Sequence, residues 1–496
     1  MSTANIYSAY QTTVEGLSVP SPSNAAKSGE YAKLQANSKT VILDGFYNMH
    51  RHQNTSALPI EIYHPVFQLL VENIATARPD EEFIADVQKL MTVSTGVGTV
   101  ELTLAEDLRI ALTKVLGKYM GQVVVDDAIP DDTVRKTGDE FAIPLLVMEY
   151  KQAIDEGGCD PLTQGSHSAL SQWRTIWVST VYFQSLWFWG AEVQKLKEVR
   201  DKCCCPTFII ASGSPYLVIL GAILREHFVV QRLTSLEWLG MGRVFEGGHL
   251  YHIAQIFHSL RAALQELDTF YDELKQRDLK LVDGQPHPRF YPYHTTFTDY
   301  TMKLPVEFEY LRPLTDSQKS LFLVKLKSSC ETAVEFVARY RAAAHHLLAE
   351  AGVAPRLLFC GSIDGQDDVR DSPLETAKGP FGLHLGPSQM VAMGHVDGTN
   401  GEEAGDKLGD AHEQLRAIID KLHESQYVFG DLRSPNVMFS GSRVVLIDLD
   451  WAGKHGETFY PTEIGDCITL HCNARDLGII KKEHDPVLFN HYFPPT

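Results

Sequence analysis

The sequence predicts an α+β protein of several domains. Its 496 residues are enough for two to four domains, each with a hydrophobic core of its own. Apolar residues recur at helical spacing in several segments, for example at Leu415, Ile419 and Leu422. Short β-branched runs such as 444–447 are typical of strands. Helices and strands are therefore both expected.

Composition and charge narrow the classes of function. The chain is 44% hydrophobic and 22% charged, near the averages for soluble globular proteins. The formal net charge of -19 argues against a general nucleic-acid-coating role, because clustered cations drive phosphate binding, although a local basic groove stays compatible with it. Residues 1–10 lack the pattern of a signal peptide, and the apolar stretch 208–224 is interrupted by Ser212-Gly213-Ser214-Pro215. We expect a soluble intracellular protein, in the cytoplasm or nucleus, with no membrane partner.

A motif late in the chain carries the strongest chemical signal. Asp431 is followed by Asn436 five positions on, and Asp448 comes twelve positions after Asn436. A helical pattern precedes this motif and the strand 444–447 lies within it. Phosphoryl transfer needs a carboxylate near the attacking hydroxyl and oxygen ligands for Mg2+ on the nucleotide phosphates. The spacing therefore predicts a phosphoryl-transfer loop followed by a metal-binding strand end.

These residues resemble the catalytic core of the protein-kinase-like superfamily. Phe429-Gly430-Asp431 stands for the His-Arg-Asp triplet and Asp448-Leu449-Asp450 for Asp-Phe-Gly. The segment is similar to aminoglycoside- and choline-type phosphotransferases, and more so to a fungal group of kinase-like proteins. The resemblance implies a bilobal fold that binds ATP and Mg2+, with Asp431 as the catalytic base and Asn436 and Asp448 as magnesium ligands. It also places Arg433 where relatives contact phosphate.

The nucleotide-binding half departs from that family pattern. At the position of the strand lysine that holds the α- and β-phosphates, the resemblance aligns Glu335, and the acidic helix partner is replaced by alanines at 342–344. A carboxylate does not attract phosphate. Either Lys325 or Lys327 supplies the cation from a neighbouring strand, or nucleotide binding is impaired.

A hinge strand is also expected in this half. The segment 385–397, with Met393 and then His395, resembles the strand that meets the adenine ring in kinases. An ordinary buried strand is the alternative interpretation. No glycine-rich phosphate loop precedes the strand that contains Lys325.

The amino-terminal half carries a second motif. Pro130-Asp131-Asp132 precedes an apolar run that ends in Glu149 and Lys151. Residues two apart on a strand face the same way, so the Glu149 and Lys151 side chains are expected on one face. The pattern resembles the PD-(D/E)xK nuclease fold, which implies a divalent metal shared by an Asp and Glu149, with Lys151 orienting the attacking water. The metal-binding Asp is left open between Asp131, Asp132 and Asp139.

The same resemblance assigns a supporting residue. Gln164, on the following helix, stands where recombination-type nucleases of this fold carry a supporting Gln.

The expected domain order follows from these motifs. Residues 1–45 are rich in Ser, Thr, Ala and Asn and are expected to be a flexible tail. Residues 46–283 are expected to form a helical and α/β restriction-nuclease-like domain. Residues 284–400 would form the small lobe and hinge of the kinase-like fold, and 401–496 a short catalytic lobe.

Three functions fit this organisation. The first is transfer of a phosphoryl group from ATP to a protein hydroxyl, with a small-molecule acceptor left open. The second is a pseudokinase or scaffold with impaired ATP binding, indicated by Glu335. The third is a metal-dependent nuclease regulated by the kinase-like module, with nucleic acid bound only by the amino-terminal domain.

Overall fold

The computed structural model describes most of the chain and divides it into two compact units. The described residues are 3–15, 20–36, 41–44, 59–95, 101–121, 131–136, 143–152, 159–174, 197–241, 247–314, 320–328, 330–365, 388–403, 408–462 and 464–494. Unit 1 comprises residues 1–293 with 316–318, and unit 2 comprises 294–315 with 319–496. Both units mix helices with β-sheet, as expected for an α+β protein.

The boundary lies after Tyr293 rather than after residue 283 as predicted. The Tyr293 amide donates to the Ile62 carbonyl at 3.0 Å, and Arg289 is buried. Arg289 also donates to the Leu224 carbonyl at 2.7 Å, so residues after 283 are attached to unit 1.

Unit 1 contains one mixed sheet of eight strands. Its order is β1-β7-β6-β5-β4-β3-β2, with β8 paired to β6. The β1–β7 and β4–β5 pairs are parallel, whereas the others are antiparallel. The strands are β1 (Ile42–Asp44), β2 (Met120–Gly121), β3 (Asp132–Arg135), β4 (Pro144–Lys151), β5 (Thr207–Gly213), β6 (Tyr216–Leu224), β7 (Phe228–Arg232) and β8 (Glu237–Trp238).

Helices pack on this sheet, and residues 197–202 of unit 1 are helical in addition to the eight helices named below. Helix α7 packs on β4 and β5, and the long α8 contacts β4 as well as α4, α5 and α6. Strand β4 is therefore buried along its length until Lys151. The helices are α1 (Thr3–Glu15), α2 (Pro22–Ala25), α3 (Ser28–Ala36), α4 (Pro65–Ile74), α5 (Glu81–Ser94), α6 (Glu101–Leu116), α7 (Pro161–Arg174) and α8 (Gly247–Gln276).

The predicted flexible tail over residues 1–45 instead contains α1, α2, α3 and β1. Ile6, Tyr10 and Val14 recur every fourth residue, which places them on one face of α1, and all three are buried. The Tyr10 hydroxyl donates to Asp201 Oδ1 at 2.9 Å. The polar composition concealed this apolar stripe, so the prediction of a flexible tail was wrong for the described part of the segment.

Unit 2 begins with a six-stranded antiparallel sheet. Its order is β13-β14-β12-β11-β10-β9. Helix α9 (Ala342–Glu350) connects β12 to β13. The strands are β9 (Thr296–Thr298), β10 (Pro305–Pro313), β11 (Ser320–Leu326), β12 (Glu331–Val337), β13 (Leu357–Ser362) and β14 (Gln389–Gly394).

The rest of unit 2 is helices with two small sheets. Strands β15, β17 and β18 form one sheet, and β16 pairs with β19. Leu415, Ile419 and Leu422 of α10 belong to the core, as their spacing predicted. The elements are β15 (Thr399–Asn400), α10 (Leu408–Glu424), β16 (Tyr427–Val428), β17 (Val437–Ser440), β18 (Arg443–Leu446), β19 (Gly453–Lys454), α11 (Asp466–Cys472) and α12 (His484–Tyr492).

This arrangement places both predicted motifs at element ends. Asp431 and Asn436 lie on the loop between β16 and β17, and Asp448 follows β18. Glu149 and Lys151 lie at the end of β4. Among the described residues, no helix combines the length and hydrophobicity needed to cross a membrane.

Candidate functional site

The second residue of the 429–436 loop in unit 2 is a glycine whose conformation and surroundings disfavour a side chain. Gly430 has a φ of +81°, a conformation that side chains disfavour. A Cβ at this position would lie 2.9 Å from Ile480 Cδ1. The glycine therefore lets the chain turn closely past Ile480 immediately before Asp431.

A buried carboxylate fixes the start of this loop. Asp485, on α12, is fully buried and accepts hydrogen bonds from the Phe429 amide at 2.9 Å and the Gly430 amide at 2.8 Å. It also contacts His423 Nε2 at 2.9 Å. Sequence reasoning missed Asp485, because an acidic residue in the first turn of a helix is common and Phe429 lies 56 positions away. Its role depends on contacts that no local pattern encodes.

Asp431 is paired with Arg433. The aspartate is buried, and both of its carboxylate oxygens accept from the Arg433 guanidinium. The Nη2–Oδ2 distance is 2.7 Å, and Nε donates to Oδ1. The guanidinium carbon lies 5.8 Å from the centre of the Trp451 ring. The residue predicted to be the base is thus oriented by a bidentate ion pair.

Asn436 connects the loop to the strand that ends at Asp448. Its Nδ2 donates to the Asp431 carbonyl at 2.9 Å. The side-chain amide oxygen of Asn436 takes no part in that bond. Its own carbonyl accepts from the Ile447 amide at 3.0 Å. Asn436 therefore lies beside the residue that precedes Asp448, as the predicted spacing required.

Asp448 belongs to a group of three carboxylates. Carboxylate oxygens of Glu335, Asp448 and Asp450 all lie within 4.8 Å of one another. Asp448 has a φ of +61°, an uncommon conformation for a residue other than glycine and one that concentrates at functional sites. The backbone turn after β18 thus brings two acidic side chains to the acidic residue of β12.

The donor set fits a hard divalent cation. Carboxylate oxygens are preferred ligands of Mg2+, and a cation would offset the mutual repulsion of three acids. The same set does not fit a bare polyphosphate, because buried Glu335 occupies the position predicted for the phosphate-binding lysine. The Asn436 amide oxygen is a further ligand of the type Mg2+ accepts.

The predicted replacement lysines lie elsewhere. Lys325 is exposed and pairs with Glu331, whereas Glu335 pairs with Leu321. Glu335 lies four positions after Glu331 on the strand, which is about 13 Å at 3.3 Å per residue. Lys327 forms an exposed ion pair with Glu307. The hypothesis that Lys325 or Lys327 replaces the missing cation is therefore not supported by the strand register.

The two hinge residues have different surroundings. Met393 is a buried core residue of β14, opposite Ala333 and Leu357. His395 Nδ1 lies 3.6 Å from Glu331 and 3.5 Å from Asp397. Met393 thus matches the alternative interpretation of this segment, an ordinary buried strand.

Unit 1 holds a second acidic site around Glu149. This side chain is fully buried. Its Oε2 accepts from Gln164 Nε2 at 2.9 Å, and its Oε1 accepts from Ser168 Oγ at 2.5 Å. Gln164 and Ser168 are one turn apart on α7, so a single helix face supplies both donors. Ser168 was not predicted, since a serine inside a helix carries no specific signal.

The surroundings of Glu149 raise its proton affinity. Burial, and to a lesser degree the negative charge of Asp131, raise the pKa of Glu149 to about 8. Hydrogen bonds from Ser168 and Gln164 and the charge of Lys151 act in the opposite direction. These interactions bring all four predicted residues of this site together.

The open choice of aspartate is narrowed by the structure. Asp131 interacts electrostatically with Glu149, and its Oδ2 accepts from the Tyr150 amide at 2.6 Å. Asp132 is buried in an ion pair with Arg109. Asp139 lies outside the described residues. Asp131 is thus the described aspartate that accompanies Glu149.

Comparison with known proteins finds likenesses among solved structures but not among family models or curated sequences. Neither a protein-family model nor a curated protein sequence matches the chain. Among solved structures, the chain is similar to the kinase PK-1 of Cydia pomonella granulovirus, at 13% sequence identity and a TM-score of 0.28. The match covers 37% of this chain and 68% of the viral kinase.

Proposed function

We propose that unit 2 is a kinase-like phosphotransferase that uses Mg2+ and ATP and modifies a protein hydroxyl. The observation that carries this proposal is the joined geometry of the two motif segments. Asp431 and Asn436 share one loop, and the Ile447–Asn436 hydrogen bond places the loop against the residue before Asp448. The backbone of that loop is held by Asp485.

Each side chain has a chemical role in this proposal. Asp431 would orient the acceptor hydroxyl and accept its proton. Arg433 would exchange one of its contacts with Asp431 for a phosphoryl oxygen. Asp448 and Asn436 would hold Mg2+, with Asp450 and Glu335 close enough to contribute. The bound nucleotide would supply the phosphoryl group.

The acidic residue at 335 makes the metal a requirement in this proposal. Three carboxylates carry up to three negative charges, and a triphosphate would be repelled from them. A divalent cation between the acids and the phosphates would convert that repulsion into attraction. We therefore expect nucleotide binding only in the presence of Mg2+ or a similar ion.

Binding and transfer are tested separately. Thermal unfolding of the full chain is compared with ATP and EDTA, with Mg2+ alone, and with both Mg2+ and ATP. Stabilisation is expected to be greatest with both together. Transfer of labelled phosphate to the protein itself, followed by mass spectrometry, tests the chemistry.

Three variants separate the possible outcomes. D448A is expected to abolish the stabilisation by Mg2+ and ATP. D431N is expected to keep it and lower transfer about 100-fold or more. D420A, at an exposed position of α10, is the matched control and should behave as wild type. Binding without any transfer would indicate a pseudokinase or scaffold, whereas no stabilisation by any combination would reject the proposal.

A second candidate function for unit 1 is metal-dependent cleavage of nucleic acid. It is favoured by the enclosed Glu149 carboxylate, whose two hydrogen bonds fix its orientation beside Asp131 and Lys151. In this proposal Asp131 and Glu149 would hold Mg2+ or Mn2+. Lys151 would orient the water that attacks the phosphodiester.

Nicking of a supercoiled plasmid tests this second function. We expect nicking with Mg2+ or Mn2+ by wild type and its loss in K151A. K280A, which alters an exposed lysine of the same unit, is the control and should nick normally. A wild-type protein that leaves the plasmid intact with both metals would reject the nuclease function.

A further inference from the structure

One arginine of unit 2 links the strand that carries Glu335 to the segment that follows Asp448. Arg339 lies just beyond the end of β12. Its Nε donates to the Asp450 carbonyl at 3.2 Å, and its Nη1 donates to the Phe459 carbonyl at 3.0 Å. A single side chain therefore holds two points, nine residues apart, of the segment that contributes Asp450 to the carboxylate group.

The two bonds constrain the position of the carboxylates. Asp450 and Asp448 are separated by one residue, so fixing the Asp450 carbonyl restricts where both side chains can point. Arg339 itself is only four positions after Glu335 in the chain. Arg339 thus joins the strand that carries Glu335 to the segment that carries Asp448 and Asp450.

The positive charge of Arg339 also suits its position near the carboxylates. Burial and the neighbouring charge of Arg341 lower the pKa of Arg339, Asp450 raises it, and the result is a pKa of about 10. Arg339 is therefore cationic at neutral pH and close enough to Asp450 for a favourable interaction. Three ionised carboxylates and one guanidinium together have a net negative charge. One divalent cation would come close to neutralising it.

We infer that Arg339 is the positioning residue of the unit 2 site, holding Asp450, and with it Asp448, beside Glu335. This inference rests on the proposed function, since it assigns the arginine a role in presenting metal ligands. It also answers the question raised by the missing strand lysine. The cation of this site comes from just beyond the end of the same strand and acts on the ligands rather than on phosphate.

A substitution by lysine separates geometry from charge. Lysine keeps the positive charge, but its single ammonium cannot reproduce two directed bonds from Nε and Nη1 to carbonyls nine residues apart. Loss of a group that orients metal ligands typically weakens metal affinity about 10- to 100-fold. We therefore expect R339K to bind Mn2+ at least about tenfold more weakly than wild type.

The experiment measures Mn2+ binding to the full chain by calorimetry for wild type, R339K, R339M and D448A. D448A is the positive control for loss of binding. R356K is the matched control, because Arg356 is an exposed arginine of the same unit with a contact to Thr301. Unchanged affinity in R339K together with tighter binding in R339M would show a role in charge alone and would overturn the inference.

Hydrogen exchange of the metal-free protein gives an independent readout. In R339K, peptides covering residues 448–460 should exchange faster than in wild type, while those covering 415–422 should not change. Unaltered exchange over 448–460 would overturn the inference. Failure of wild type to bind Mn2+ would count against the proposed function, and the exchange comparison would still decide the role of Arg339.

Discussion

The two acidic sites of this protein are built in opposite ways. In unit 1, the bonds that define the site go to the carboxylate itself, because Gln164 and Ser168 donate to both oxygens of fully buried Glu149. In unit 2, the bonds that define the site go mainly to the backbone. Asp485 accepts from two amides of the Asp431 loop, and Arg339 donates to two carbonyls after Asp448.

This difference has consequences for how each site responds to change. A buried carboxylate held by neutral donors is expected to change its protonation with pH. Where the backbone positions the carboxylates, their placement is expected to depend on the groups that hold that backbone. This applies even to groups that touch no ligand. Stability and exchange measurements can therefore test the comparison without any knowledge of the substrates.

The largest effect of a single substitution is expected for D485N. The Asp485 carboxylate accepts from two backbone amides and contacts His423, and an asparagine has one acceptor oxygen in place of two. Its amide group would face a buried N–H donor. We expect a loss of about 3 kcal/mol in the free energy of unfolding, measured by urea denaturation.

Hydrogen exchange locates this effect. The amides of Phe429 and Gly430 should lose protection in D485N if the backbone clamp is as described. D420N, on the exposed face of α10, provides the comparison and should leave exchange unchanged. Retained protection of both amides would contradict the assignment of Asp485.

The second effect is a pH dependence specific to unit 1. Burial, together with the negative charge of Asp131, raises the pKa of Glu149 to about 8 from an ordinary value of 4.5. Between these pH values, the folded protein holds a proton that the unfolded chain has released. The free energy of unfolding should therefore fall as the pH rises from about 5 to 8, by at most about 1.4 kcal/mol per pH unit. The contribution is fully present below pH 4.5 and is lost as the pH rises through 8.

The glutamine variant isolates this contribution. E149Q cannot titrate, so its free energy of unfolding should vary less steeply over the same pH range when followed by tryptophan fluorescence. E266Q, at an exposed position of α8, should retain the wild-type slope. Parallel pH profiles for wild type and E149Q would show that Glu149 is already ionised in the folded protein.

A substitution of Gly430 tests the unit 2 site, and its expected effect on stability is of intermediate size. Alanine there would have to adopt a φ of +81° and would crowd Ile480, with a Cβ 2.9 Å from Cδ1. We expect G430A to lose about 2 kcal/mol in the free energy of unfolding. G441A is the matched control, because Gly441 also has a positive φ, of +63°, but has nothing within 4 Å of a Cβ.

Both variants lose free energy of unfolding through backbone strain, and only G430A also loses it through crowding. The difference between the two losses therefore measures the crowding. G441A should lose only about 1 kcal/mol. Equal losses for both variants would mean that Ile480 moves aside at no cost and that the close approach is unimportant.

The smallest effect on stability is expected for R433K. The Arg433 side chain is 37% exposed, and ion pairs of that kind contribute little, so the free energy of unfolding should change by less than about 1 kcal/mol. Lysine cannot reproduce the bidentate contact with Asp431. Under the proposed function, phosphate transfer should fall while thermal stability remains. A large loss of stability would make Arg433 a structural residue instead.

Local sequence patterns were sufficient for part of each site. The spacing of Asp431, Asn436 and Asp448 spans a loop and a short hairpin, so the bonds from Asn436 to Asp431 and from Ile447 to Asn436 join positions near each other in the chain. Glu149 and Lys151 share a strand face because the strand repeats every two residues. The helical spacing of Leu415, Ile419 and Leu422 predicted a buried helix face in the same way.

Other expectations failed or were missing for a common reason. Residues 1–45 looked too polar to fold, yet every fourth residue of α1 supplies an apolar contact that only its packing partners make useful. Lys325 was a reasonable substitute cation until the strand register separated it from Glu335. Composition and short spacing contain no information about which distant segments will meet.

The sequence by itself determined which residues could do chemistry and on which local elements they lie, since helix and strand periodicity act over a few residues. Only the tertiary structure decided what surrounds them. The contacts of Asp485 with Phe429, of Ser168 with Glu149 and of Arg339 with Asp450 join segments 56, 19 and 111 positions apart. Such contacts form because the whole core packs in one way, so no single stretch of the chain encodes them.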